Sequence, residues 1–170
     1  MLLHTQVLAA TVAALVSSLL VVVAPASVEA AETLRQRGRI VKVVDGDTVD
    51  VRLVDGRERR VRLIGIDTPE VHGVVQCGGP RASRSLKKLL PVGTRVRLVS
   101  DPTQDRRDRY GRLLRYVIKV STSRDVNKAQ VFRGWASVYV YDDNPFQRVG
   151  QYRRAQRQAK TNLRGIWGLC

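Results

Sequence analysis

Between Gly38 and Ile66 apolar residues fall at every second position, in the runs RIVKVV, TVDVRLV and RRVRLIGI, which are separated by Asp45-Gly46 and Asp55-Gly56. A period of two places successive side chains on opposite faces of an extended chain, so such runs form strands with one buried face. Asp-Gly between alternating β-branched residues is the signal of a tight hairpin. The stretch therefore predicts an antiparallel meander of three strands, with Arg52, Arg60 and Arg62 on its outer face and Gly65 marking a bulge or a close backbone approach. Beyond Gly79-Pro80 the period changes. Ala82, Leu86, Leu89 and Leu90 recur at helical spacing until Pro91-Val92-Gly93 ends the helix. TRVRLVS and RLLRYVIKV read as strands four and five, joined by a polar loop from Asp101 to Gly111, and the segments 126–134 and 146–163 read as helices. Five short strands with a helix before the last two predict an α+β fold, mainly β: a five-stranded OB-type barrel decorated by about three helices.

The chain carries two segments of different character. Leu8 to Ala24 is an unbroken run of apolar and small residues, followed by Ala24-x-Ala26 and Val28-x-Ala30. This is the pattern of a secretory signal peptide over residues 1–30, cut after Ala26 or Ala30, with a globular domain over 31–170. The run lacks Lys or Arg at its start, which leaves an uncleaved membrane anchor as the alternative; cleavage would leave no stable membrane association. Either way the domain is expected outside the cytoplasm, as a monomer. The formal charge is +15, and loss of residues 1–30 removes Glu29 but no cation, raising it by one. A charge of that size implies a polyanionic partner, a nucleic acid or an anionic cell surface. Barrels of this type bind single strands on aromatic platforms, and all aromatics here lie between Tyr110 and Trp167.

Two cysteines, Cys77 and Cys170, suit an oxidising compartment. Paired within the chain they would pin the C-terminus and close a loop of roughly 90 residues, worth about 4 kcal/mol. Free thiols or an intermolecular bond are the alternatives.

The carboxylates at the strand ends carry more information. Asp47 in DGDT and Asp67 in IDTPE lie one hairpin apart, so their side chains can meet at one rim of the barrel. Converging carboxylates repel unless a cation lies between them, and hard oxygen ligands select Ca²⁺ or Mg²⁺. Both are equally explained as turn formers. Arg62 before IDTPE and Arg112 in DRYGR can each present a planar fork to a phosphate. Glu70, beyond Pro69, is free to hold or deprotonate a water. His72 reads as a surface loop residue.

The segments VVDGDTVDV, VRLIGIDTPE, DRYGR and NKAQVFRGWASVYVY, in this order and spacing, resemble the thermonuclease family, secreted Ca²⁺-dependent nucleases of the staphylococcal nuclease type. The likeness runs from about Gly38 to Trp167. It implies that Asp47 and Asp67 ligate Ca²⁺ through carboxylates and Thr68 through its carbonyl, with Asp45 behind them supporting the metal and its waters. It implies that Glu70 activates the attacking water while Arg62 and Arg112 clamp the phosphate. Arg109, Tyr110, Tyr139 and Tyr141 match nucleotide-binding positions, Arg109 replacing the more usual Lys. The implied reaction cleaves DNA and RNA and leaves 3′-phosphates. A silent nucleic-acid-binding OB module would need a gap among Asp47, Arg62, Asp67, Glu70 and Arg112, and none is present. A basic wall-binding protein would explain the charge but not the ordered carboxylates.

Overall fold

A computed structural model describes residues 32–170. The leader assigned to residues 1–30, with its two cleavage sites, lies outside them. The alternating runs become β1 (Arg35–Val43), β2 (Thr48–Leu53) and β3 (Glu58–Leu63), paired antiparallel in sequence order. A two-residue strand, β4 (Ile66–Asp67), and the helix α1 (Gly79–Leu89) follow, then β5 (Arg95–Val99) and β6 (Leu113–Lys119). β5 pairs with β1 and with β6, and β6 lies parallel to β3 with Val61 opposite Leu113 and Leu63 opposite Arg115. That last pairing closes the sheet on itself, so the five long strands have no free edge between them. The barrel is the expected OB-type one, filled by Val49, Val51, Val61, Leu63, Val96, Leu98 and Val117, all buried.

Past the barrel come β7 (Arg124–Asp125), α2 (Val126–Phe132), β8 (Ser137–Val138), α3 (Val149–Thr161) and the single turn α4 (Ile166–Leu169). Asp125 caps α2 by accepting from the Lys128 N–H at 3.1 Å, as a β-region aspartate before a helix does. α1 buries Ala82, Leu86 and Leu89 and turns its basic stripe outward. Tyr116, Phe146 and Tyr152 meet in tilted and edge-to-face contacts with centroids 5.1 to 6.5 Å apart, and seat α3 against the barrel. Among the described residues no helix is long and apolar enough to cross a membrane.

Three features differ from the sequence expectation. RRVRLIGI is not one strand: β3 stops at Leu63, and the chain turns through Ile64-Gly65 before β4 pairs with β8. Gly65 has φ 76°, and a Cβ there would meet the Phe146 ring at 2.4 Å, so the close approach is to an aromatic ring. The outer face of the meander is not plainly basic either, since Arg52 pairs with Glu58 and Arg60 with Asp50. Finally, the last long helix begins at Val149 and ends at Thr161, and α4 follows where no helix was expected.

Candidate active site

The turn from β1 to β2 carries Asp45, Gly46 and Asp47. Asp45 Oδ1 accepts from the Asp47 N–H at 3.0 Å, an Asx turn, and the Leu63 N–H donates to the Asp47 carbonyl at 2.9 Å. Gly46 is required by space: a Cβ there would lie 2.5 Å from Thr68 Oγ1. These contacts bring the DGDT turn against IDTPE and bury the Asp47 side chain between them. Asp47 Oδ1 accepts from the Thr48 hydroxyl, and Oδ2 from both the Thr68 N–H and the Thr68 hydroxyl, each at 3.0 Å.

Arg62 joins the two halves. Its Nη1 lies 2.9 Å from Asp47 Oδ2 and its Nη2 lies 2.8 Å from Asp67 Oδ1. Nη1 also donates to the Ile66 carbonyl at 2.8 Å, across the turn that Gly65 permits. Burial pushes the Asp47 carboxyl up to about 7; Arg62 opposes the rise, and the negative charges of Asp45 and Asp67 add to it. Two carboxylates, Asp47 and Asp67, thus share one guanidinium.

A second cluster sits at the entry to β6. Asp108 accepts from Arg112 at two points, its Oδ2 from Nε at 2.6 Å and its Oδ1 from the backbone N–H at 3.0 Å. The β3–β6 pairing places this entry beside the strand that carries Arg62. The Tyr110 ring lies under two guanidinium groups, Arg109 at 4.8 Å and Arg112 at 5.3 Å from its centroid. Tyr139 and Tyr141 are 47 % and 65 % exposed, which rules out core packing as their purpose. The Tyr139 N–H donates to the Gly65 carbonyl at 3.1 Å, tying that segment to the same turn.

Glu70 stands exposed with its backbone held on both sides by one residue: its N–H donates to Gln76 Oε1, and Gln76 N–H donates back to its carbonyl, each at 3.0 Å. Among the described residues its carboxylate takes no hydrogen-bond partner. The loop it begins ends at Cys77, which is bonded to Cys170 with the Cα atoms 6.1 Å apart. His72 is an exposed loop residue.

Sequence reasoning missed the residues that hold the site from behind. Asp108 orients Arg112, and Gln76 frames Glu70. Within α2, Asn127 donates to the carbonyls of Ile64 and Arg115 at 3.1 Å, and Gln130 donates to the Gly46 carbonyl at 2.9 Å. The one signal for them in the sequence is a pair of amides three residues apart on the face that also carries the buried Val126 and Val131. Uncharged polar residues on an apolar helix face are there to be bonded.

Among the described residues no three Asp, Glu, His or Cys side chains converge as a ready-made metal cage. The donor set nonetheless fits a hard divalent cation. Burial is the main cause that raises the Asp47 carboxyl to about 7, and a cation beside it would oppose that rise. Two carboxylates and a carbonyl, completed by water, are an ordinary oxygen set for such an ion.

Comparison with known proteins places the chain in a family. The family described as Staphylococcal nuclease homologue matches residues 60–168. The thermonuclease of Staphylococcus intermedius is 37 % identical over 131 residues, 75 % of this chain and 74 % of that protein. Endonuclease YncB of Bacillus subtilis is 36 % identical over 130 residues, 74 % of this chain but 59 % of its own length. An uncharacterized endonuclease of Escherichia coli is 38 % identical over 132 residues, 76 % of each chain. The chain belongs to the staphylococcal nuclease homologue family and is a nuclease.

Proposed function

We propose that this protein is a secreted, calcium-dependent endonuclease that hydrolyses phosphodiester bonds of DNA and RNA without strong sequence preference and leaves 3′-phosphate ends. The observation that carries it is the shared guanidinium: Arg62 spans Asp47 and Asp67, so an acidic pair and a phosphate-binding group occupy one rim of the barrel. Asp47, Asp67 and the Thr68 carbonyl would hold Ca²⁺, with Asp45 keeping the turn in place. The bound ion would offset the negative charge of the phosphate and of the carboxylates around it.

The chain's own residues supply the rest. Glu70 takes the proton of the attacking water as its oxygen bonds to phosphorus. The P–O5′ bond breaks, the phosphate stays on the 3′ side, and the 5′ oxygen takes up a proton from solvent. Arg62 and Arg112 donate to the phosphoryl oxygens, where charge accumulates in the five-coordinate transition state. Asp108 keeps the Arg112 fork in one orientation. Arg109, Tyr110, Tyr139 and Tyr141 bind the flanking nucleotide by charge and stacking. The uncharged run Leu8 to Ala24 and the Cys77–Cys170 bond support export, and the high net charge supports a monomer.

The test is to incubate the chain from Ala31 onward with single-stranded DNA, first with Ca²⁺ and then with a chelator. Cleavage with Ca²⁺ that stops in chelator is expected. Cleavage that persists in chelator would remove the ion, and absence of cleavage with any divalent metal would remove the reaction.

A further inference from the structure

A strongly basic concavity is lined by none of the residues of the candidate active site. α1 contributes Arg81, Arg84 and Lys88, spaced three and four residues apart and therefore on one stripe, to the wall of an open groove of about 540 Å³. The end of α2 and the turn after it supply Phe132, Arg133 and Trp135 to the other wall, and the segment before α4 supplies Arg164. No carboxylate lines the groove, and among the described residues none of its five cations pairs with one. On the β2–β3 surface, by contrast, arginines are matched to neighbouring acids. Unmatched cations gathered in a concave site leave a positive potential that attracts phosphates.

The groove is also built to hold its shape. The Arg164 guanidinium lies over the Phe132 ring, 4.3 Å from the centroid, and Phe132 remains 43 % exposed. The Ile166 N–H donates to the Gly134 carbonyl at 2.8 Å, and a Cβ on Gly134 would meet the Arg164 carbonyl at 2.1 Å, so the C-terminal segment crosses α2's end in close contact. The disulfide to Cys77 ties that segment down at its far end. Ser85 on the floor donates to Gln130 Oε1 at 2.7 Å, and Gln130 donates to the Gly46 carbonyl beside Asp47. One buried amide therefore backs both the groove and the candidate catalytic turn.

We infer that this groove is a second binding track for single-stranded nucleic acid, taking backbone phosphates on Arg84, Lys88, Arg133 and Arg164 and stacking bases on Trp135 and Phe132. The inference rests on the nuclease reading for its substrate class. Single strands are favoured over duplex because aromatic platforms need unstacked bases.

The test uses oligothymidylate of about 30 nucleotides and a dithymidylate too short to fill both site and groove. Binding is measured by fluorescence anisotropy in chelator, so that no cleavage is needed. Arg84→Glu with Lys88→Glu should weaken binding of the long strand at least about tenfold and flatten its salt dependence by about 0.7 for each phosphate no longer neutralised. Trp135→Ala should weaken it severalfold at unchanged salt slope, with both variants melting like the parent. In the cleavage assay KM for the long strand should rise while kcat and the turnover of dithymidylate stay as they were. Unchanged affinity would overturn the inference, as would an equal loss on dithymidylate, an equal loss with duplex, or a loss confined to phosphatidylserine vesicles. Wild-type protein that binds through the groove but cleaves neither substrate would overturn the nuclease mechanism and leave the track standing.

Discussion

At the scale of single residues, the candidate site separates groups that must be held from groups that must be free. Asp47, Arg62 and Thr68 are fixed by mutual bonds, whereas Glu70 is fixed only through its backbone and keeps its carboxylate in solvent. That is what a residue moving a proton requires. Glu70→Gln should therefore lower turnover by about 10² to 10⁴, the usual worth of a general base, while leaving the affinity for single-stranded DNA unchanged. Single-turnover rates beside binding isotherms check this, and unaltered turnover would take Glu70 out of the reaction. Asp47 yields a pH prediction. Its carboxyl is raised from the usual 3.8 to about 7, so between those values the folded chain keeps a proton that the unfolded chain releases. The stability this group contributes without metal is complete below the lower value and is lost as pH rises through the upper one. A cation at Asp47 competes with that proton, so Ca²⁺ should raise the melting temperature more at about pH 8 than at about pH 5.5. Equal shifts at the two pH values would separate Asp47 from the metal.

At the scale of elements, the point that organises the site is the break between β3 and β4. Were RRVRLIGI one continuous strand, Arg62 and Asp67, five positions apart, would project from opposite faces. The turn at Gly65 folds Asp67 back onto the Arg62 fork, and Phe146 occupies the space a side chain would need. Gly65→Ala should cost about 1 to 2 kcal/mol from the left-handed backbone alone, seen as a drop of several degrees in melting temperature, and turnover should fall with it. Adding Phe146→Leu should return the part due to collision and leave the part due to φ. Failure of Gly65→Ala to destabilise would show that the turn tolerates another conformation. The same element shows what was legible in the sequence. Alternation and Asp-Gly spacing give the meander, and five strands with an inserted helix give a barrel, closed or partly open, whose closure only the β3–β6 pairing shows. The motif residues of the candidate site are visible through the family resemblance, since on spacing alone Asp47 and Asp67 are equally explained as turn formers. Asp108, Gln76, Asn127 and Gln130 were not, because their work is defined by partners between 4 and 84 positions away in the chain. Nor was α4, a single turn seated by the Gly134–Gly165 crossing and the disulfide and not by any periodicity of its own.

For the whole molecule, charge distribution resolves a conflict built into the chemistry. Asp47 and Asp67 meet around Arg62 at one rim, where, on the proposed function, they repel the phosphate to be cleaved. The full chain offsets them with 30 Lys and Arg against 15 Asp and Glu. Many of those cations lie outside the candidate catalytic cluster, on α1, on α3 and in the groove. Their attraction acts at a distance and is screened beyond about 10 Å at 0.1 M salt, whereas the Arg62–Asp47 pair, with side chains 14 % and 8 % exposed, is largely sheltered from added ions. Association and chemistry should consequently respond differently to ionic strength. Between about 0.02 and 0.3 M salt, the association rate for a single-stranded oligonucleotide should fall at least about tenfold, while the single-turnover rate of bound substrate changes little. Stopped-flow mixing at several salt concentrations separates the two rates. A flat association rate would mean that the net charge serves solubility alone, and a parallel fall in both would mean that the catalytic rim itself is open to screening, contrary to the burial of Asp47.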